Sequence, residues 1–381
     1  MNDSSKATDR LLAIARSLQH PEQNYGLPEE FSPTLPSYAD IVVIGSGITG
    51  CSVSKALLED DSLESTTRIV VLEARTLASN ATGRNGSQLV SPVGHLYNTM
   101  CKRHSEETAK EMGRFSFMNI ERIMGMLEEL DPELQESSEI RHVHKVMVAG
   151  DEETWKTSKE SLNSFREAIP SYQTTHRVTE QDNLAKDFNI KNGHGVIDHP
   201  AGAVWPYRPI TGIFERLLVQ YHDRLSIETN TPATAIKYIS GTASDGSSMP
   251  DYPYVIETPR GAIQAKQSTL DPVSERFDGG LYYLQQHATT GDIWVGTDYS
   301  NIFDVLTSDD TAVPGHSVEA LLKFLPKYFV KGWPEDERPE LKGVWTGLQG
   351  HTSDGLPLVG KLLNRGIGAL YASKAGQGVI I

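Results

Sequence analysis

The chain has 381 residues, 38% hydrophobic and 22% charged, with 32 Gly and 20 Pro, a globular balance that excludes collagen-like, low-complexity and disulfide-dense classes. Lys and Arg number 35 against 50 Asp and Glu, a formal charge of −15, so the surface repels nucleic-acid phosphates and anionic bilayers and neither is an expected partner. Cys51 and Cys101 are the only cysteines, too few for a disulfide framework; with no signal-peptide pattern and no run of ~18 apolar residues, the expected location is the cytoplasm.

Residues 1–37 read as a surface arm, with one amphipathic segment over Leu11 to Leu18 and prolines at 21, 28, 33 and 36. Asp40 to Ile44 is a β-branched apolar run ended by glycines, Ile48 to Leu58 has helical spacing, and Arg68 to Glu73 is a second buried strand. Together they make one βαβ unit. Met112, Phe115, Asn119, Ile123, Leu127 and Leu130 recur at helical spacing and predict a covering helix. Strands are expected around 141–148, 281–284 and 293–296, without long helices between them, as in an antiparallel second sheet. Between them, 210–221 is a helix, 233–239, 254–258 and 262–266 are strands, and 241–250 is a Ser- and Gly-rich loop.

Gly45-Ser46-Gly47-Ile48-Thr49-Gly50 matches G-x-G-x-x-G in the strand-to-helix context that gives the pattern meaning. Gly45 allows the tight turn, Gly47 admits a pyrophosphate, Gly50 lets helix and strand pack, and the helix N-terminus faces the anion. Glu73 closes the second strand 23 residues after Gly50, where a carboxylate accepts from ribose hydroxyls. Arg75 is either a reader of a 2′-phosphate or a surface charge. A nicotinamide-binding unit would pass directly into another helix, whereas here a polar loop, Ala78 to Ser87, can fold back on a cofactor.

In that loop Glu73-Ala74-Arg75 and Ala81-Thr82-Gly83-Arg84-Asn85-Gly86 resemble the flavin-dependent amine-oxidising family of D-amino-acid oxidase, glycine oxidase and sarcosine oxidase, and within it the gamma-glutamylputrescine oxidase branch with related fungal proteins. Ser87 departs from a glycine of that pattern. Gly202 to Arg208, Trp345-Thr346-Gly347 and Thr352 to Gly360 continue the resemblance, and Gly376-Gln377-Gly378 is similar to the family's last glycine pair beside the flavin. The resemblance implies FAD, bound non-covalently because the 345–354 segment holds no cysteine. Its contacts would be Gly45, Gly47, Ile48, Thr49, Gly50, Glu73, Ala74, Arg75, Thr82, Gly83, Arg84, Asn85, Gly86, Gly376 and Gly378. It implies hydride transfer from the carbon beside a substrate nitrogen, a small-molecule amine or amino acid as substrate, and oxygen as acceptor. Tyr282, Tyr283, His351 and Arg208 are the candidate pocket residues, although each is equally explicable as packing, as are Trp205 and Trp345. The twelve histidines show no spacing that makes a metal site.

The expected fold is α/β, a Rossmann-type FAD-binding domain over 38–100, 207–270 and 345–381, with a mostly antiparallel α+β substrate domain and covering helices over 101–206 and 271–344. Two departures from the family stand out. The strand after Lys266 is expected to be missing, which would expose a sheet edge, and the chain stops at Ile381, where the family begins a helix. The second reading they support is a flavin-binding protein with impaired catalysis.

Overall fold

The computed structural model describes residues 34–86, 88–239, 252–270, 282–287, 290–297, 313–330, 340–347, 360–361, 368–369 and 377–380. The segment 11–18, the loop 241–250, His351, Thr352 to Val359 and Gly376 lie outside them.

From β1 (Tyr38–Ile44) the chain turns into α1 (Ile48–Leu58) and returns as β2 (Ile69–Leu72), whose four residues are all buried. The short α2 (Ala81–Arg84) and β3 (Gln88–Leu89) lead to α3 (Val93–Arg103), α4 (Glu106–Glu128) and α5 (Pro132–Ser137). Next come β4 (Arg141–Ala149), α6 (Glu152–Ala168), β5 (Arg177–Glu180), α7 (Leu184–Phe188), β6 (Gly195–Ala203) and α8 (Tyr207–Gln220). The strands β7 (Leu225–Glu228), β8 (Ala235–Tyr238), β9 (Tyr254–Thr258), β10 (Gly261–Leu270), β11 (Tyr282–Gln286) and β12 (Ile293–Thr297) follow. Helix α9 (Gly315–Tyr328) and strands β13 (Gly343–Trp345), β14 (Gly360–Lys361), β15 (Gly368–Ala369) and β16 (Gln377–Ile380) complete the described elements. Ser105, Asp131 and Asp151 cap α4, α5 and α6, each side chain accepting from a first-turn amide, contacts worth about 1 kcal/mol apiece.

The first sheet runs β14-β15-β10-β1-β2-β7, with β10, β1, β2 and β7 parallel. Alternate residues of β1 and β2 serve opposite faces. Ile41, Val43, Ile69 and Val71 pack on α1 and α8 through Leu58, Phe214 and Leu217, whereas Val42, Val70 and Leu72 pack on Tyr254, Ile256 and Ile263. Burial on both faces is why these strands read as unbroken apolar runs. A second sheet, β3-β6-β4 with β5 on β6, is antiparallel and covered by α3, α4 and α6 through Tyr97, Phe117, Leu162 and Phe165. In a third, β11-β12-β16-β13, Val295 and Val344 pack against Val318, Leu321 and Leu325 of α9. The fold is thus α/β, with a Rossmann-type unit beside antiparallel sheets.

Two expectations change. The strand does not end at Lys266: β10 continues to Leu270, paired with β1 along this stretch and with β15 at Thr269 and Leu270. The polar run Gln267-Ser268-Thr269 reads as a break in sequence, but backbone pairing with β1, joined by β15 at Thr269, carries it. Of the described strands from 343 onward, β14 and β15 join the first sheet and β13 and β16 the third. The buried face of α4 is Ala109, Gly113, Phe117, Met124 and Leu127, while Phe115 is 61% exposed. A Cβ on Gly113 would come 2.9 Å from Ile169 Cδ1, so the inward face is partly made of small residues that a search for large apolar side chains passes over.

Candidate cofactor and substrate site

The site begins at the turn between β1 and α1. Gly45 has φ +103°, backbone that L side chains rarely adopt, and its amide donates to Leu72 O at 2.8 Å. A Cβ on Gly50 would lie 2.0 Å from Gly45 O, so only hydrogen fits there. Gly47 caps α1 without a side-chain bond. Ile48 N donates to Thr82 Oγ1 at 2.9 Å, while the next amides of the first turn have no intrahelical carbonyl and, with the helix dipole, favour an anion.

Ser46, which the motif treats as a free position, joins the parts. Its hydroxyl donates to Glu73 Oε2 at 2.6 Å and accepts from Ala78 N at 2.8 Å, and its amide donates to the same carboxylate oxygen at 3.1 Å. Ala78 itself has φ +52°. Glu73 Oε1 accepts from Arg75 N at 2.9 Å, a single bond that leaves it acceptor capacity for a hydroxyl. The glycine turn, the acid at the end of β2 and the 78–86 loop are therefore one hydrogen-bonded unit.

The loop is held from both sides. Asn85 Nδ2 donates to the carbonyls of Ala81 and Thr82, Arg84 Nε donates to Ser79 O at 3.0 Å, and Trp345 Nε1 donates to Arg84 O at 2.9 Å. A Cβ on Gly83 would lie 2.7 Å from Ala78 O, and one on Gly86 3.0 Å from Tyr283 Cε2. Register in the third sheet sets Tyr283, Gly296, Gly378 and Trp345 in one cross-strand row. The two glycines leave that row without side chains between the aromatics, and a Cβ on Gly296 would meet the Tyr283 ring at 2.1 Å.

A cavity of about 2080 Å³ is lined by Gly45, Gly47, Ile48, Glu73, Ala74 and Thr82, and further along by Asn85, Gly86 and Tyr283. That exceeds the roughly 300–1,000 Å³ of an ordinary small-ligand pocket, leaving room for a dinucleotide and a second small molecule. Thr49, Gly50, Arg75, Gly83 and Arg84 are not among the residues that line it. Gly378 lies in β16 within the row described above, and Tyr282 is the first residue of β11. Arg208 is turned away: its guanidinium stacks 3.8 Å from the Trp205 ring and donates to Ser137 O.

The family model described as "DAO: FAD dependent oxidoreductase" matches residues 40–380. The chain belongs to this family. No curated protein matches it by sequence. Among solved structures it is similar to glycine oxidase from Geobacillus kaustophilus, at 14% identity and TM-score 0.57 over 88% of this chain and 89% of that one. L-amino acid deaminase from Proteus vulgaris aligns at 16% identity and TM-score 0.56, covering 91% and 92%. L-proline dehydrogenase from P. horikoshii aligns at 15% and 0.54, covering 88% of each chain. At such identities the likeness shows the fold alone. The residues of this DAO-family chain nevertheless fit FAD: the glycine cradle, the helix start and the strand-end acid share one wall.

Beside that site the DAO-family chain carries a basic cluster that sequence patterns do not reveal. Lys145 Nζ donates to Ser91 O at 2.9 Å, and burial pushes its ammonium down to about 8. His199 places Nδ1 2.8 Å from Pro200 O and Nε2 3.0 Å from Ser91 O. Only an imidazolium could donate to both, yet burial and the nearby Lys145 charge lower its pKa; a neutral ring donating to one carbonyl is the state consistent with burial. His176, 4% exposed, is lowered to about 3, chiefly by burial. His95 is lowered well below its ordinary value, again mainly by burial, and lines the cavity. The residues come from α3, β4, β6 and the position just before β5, so only the fold assembles them. No helix among the described residues is long and apolar enough to cross a membrane.

Proposed function

We propose that the chain binds FAD non-covalently and oxidises the C–N bond of a small amine or amino acid, with oxygen as acceptor, in the manner of the gamma-glutamylputrescine oxidase branch it resembles. The observation that carries this reading is the bonding of Ser46 to both Glu73 and Ala78, which ties the pyrophosphate turn to a loop that reaches Tyr283 on the opposite wall. When bound, FAD would accept a hydride from the carbon beside the substrate nitrogen. The chain's residues bind and orient: Gly45, Gly47 and the start of α1 would take the diphosphate, Glu73 a ribose hydroxyl, and Thr82 to Gly86 the ring system. The Tyr283–Trp345 row would exclude water and favour a neutral amine by desolvation, so no dedicated base is required.

Non-covalent attachment is supported by the state of the cysteines. Cys51 is buried in α1 and burial pushes its thiol up to about 12, so no thiolate forms near neutrality. Cys101 lies in α3. Both thiols are free, in keeping with a reducing cytoplasm. An impaired enzyme is the weaker reading, because β10 is intact through Leu270. The test is peroxide release and dye reduction by the flavin-loaded protein across a panel of primary amines, secondary amines and amino acids. Turnover of at least one class supports the reading, and a flavin-loaded protein inert to every class contradicts it.

A further inference from the structure

The strand-end acid Glu73 is held from a second side, by the turn that follows β7. Its amide donates to Glu228 O at 3.0 Å and its carbonyl accepts from Thr231 N at 2.8 Å, while Asn230 N donates to Arg75 O at 2.9 Å. Residues 228–231 thus grip the main chain of Glu73 and Arg75 through three hydrogen bonds. Asn230 has φ +51°, left-handed backbone that a residue with a side chain adopts at a cost. Pro232 and Ala233, next in the chain, line the cavity together with Glu73 and Ala74.

What fixes this turn comes from elsewhere in the chain. Arg260, between β9 and β10, donates from Nη1 to Glu228 Oε2 at 2.8 Å and to Thr231 Oγ1 at 2.9 Å, so one guanidinium nitrogen joins the two ends of the turn. The Glu228 side chain is 0% exposed and that of Arg260 23%. Ser226 Oγ donates to Glu228 Oε1 at 2.5 Å, and Thr231 Oγ1 donates to Thr229 O at 2.8 Å. A carboxylate out of water is costly unless it is paired and hydrogen-bonded. Such a pair adds little net stability over apolar packing, yet loss of one partner is strongly unfavourable. The arrangement is therefore suited to fixing geometry. Arg260 does not itself line the cavity, so any effect on a ligand passes through Glu73.

We propose that Arg260 is a positioning residue for the cofactor: by joining Glu228 to Thr231 it holds the backbone of Glu73 where the carboxylate meets a ribose hydroxyl of the dinucleotide. The assignment rests on the reading of Glu73 as that acceptor. Ser46 orients the same carboxylate from the glycine turn, so the acid is set by its side chain on one side and by its backbone on the other.

The test reads the ribose contact without turnover. ADP and 2′-deoxy-ADP are titrated into the flavin-loaded protein, and released flavin is followed by its fluorescence. In the wild-type chain ADP should displace flavin at a concentration lower by about tenfold or more, the scale of one hydrogen bond to a charged group. Arg260→Met should bring the two nucleotides together, and Arg260→Lys should keep part of the difference. Thr231→Val removes one of the two acceptors of Arg260 and should also narrow the difference, so the proposal stays testable if Arg260→Met fails to fold. Hydrogen exchange followed by mass spectrometry should show faster exchange at 228–231 in these variants and an unchanged rate at 45–50; loss of fold alone would raise both. A full preference for ADP in Arg260→Met or Thr231→Val, or unchanged exchange at 228–231, overturns the proposal and leaves the reading of Glu73 in place. Equal potency of the two nucleotides in the wild-type chain removes that reading, and the proposal with it.

Discussion

His176 shows how much one side chain can cost a buried site. Its Nδ1 is buried without a hydrogen-bond partner, and the ring is packed between Phe117, Phe165 and His199. In the fold its pKa is about 3 against 6.5 for a free ring. Between those values the unfolded chain binds a proton that the native ring refuses, so stability falls as pH drops below 6.5, by about 1.4 kcal/mol per pH unit for this one group. His95 and His199, also held neutral mainly by burial, act in the same direction. Urea unfolding at a series of pH values should therefore give a stability that declines from pH 6.5 downward. His176→Leu should flatten that slope by about one proton, and an unaltered slope would show that the ring is protonated at little cost in the native state.

At the level of elements the sequence was most informative where the signal is local. β1, the glycine turn, α1 and β2 all carry their periodicity and punctuation within some 35 contiguous residues, and the structure places each within two residues of where the sequence does. What the sequence hid depends on pairing between distant segments. The approach of Gln285 to Arg141 and Gly86 follows from packing of the third sheet against the loop and the second sheet. The row Tyr283, Gly296, Gly378 and Trp345 follows from register among four strands, and no local pattern announces either. Gln267 to Thr269 misled in the same way, since polar residues inside a strand are stabilised by neighbours that the sequence does not display. The connection between the turn and the loop is testable through Ser46. Ser46→Ala strands the donor at Ala78 and leaves Glu73 Oε2 with the Ser46 amide alone, a loss of about 1–3 kcal/mol for a buried group. Chemical denaturation should show that loss, and flavin content after gel filtration should fall with it. Full flavin retention alongside lower stability would mean that Ser46 supports the fold without organising the loop.

For the whole molecule, a parallel sheet supplies the glycine turn and its acid, while antiparallel sheets supply Arg141, Lys145, Tyr283 and Gln285, and the cavity lies where these contributions meet. This division explains why the glycine turn and its acid were legible in sequence and the opposite wall was not: the turn is a short backbone motif, whereas the opposite wall is made of side chains brought in from separate strands. Whether this cavity holds FAD without a covalent bond is decided by acid precipitation of the purified chain followed by spectroscopy and chromatography of the supernatant. A yellow supernatant containing FAD close to one per chain and a colourless pellet are expected, with little flavin recovered from Gly47→Leu. A supernatant that contains NAD, no flavin in either fraction, or flavin retained in the precipitated protein would contradict that expectation.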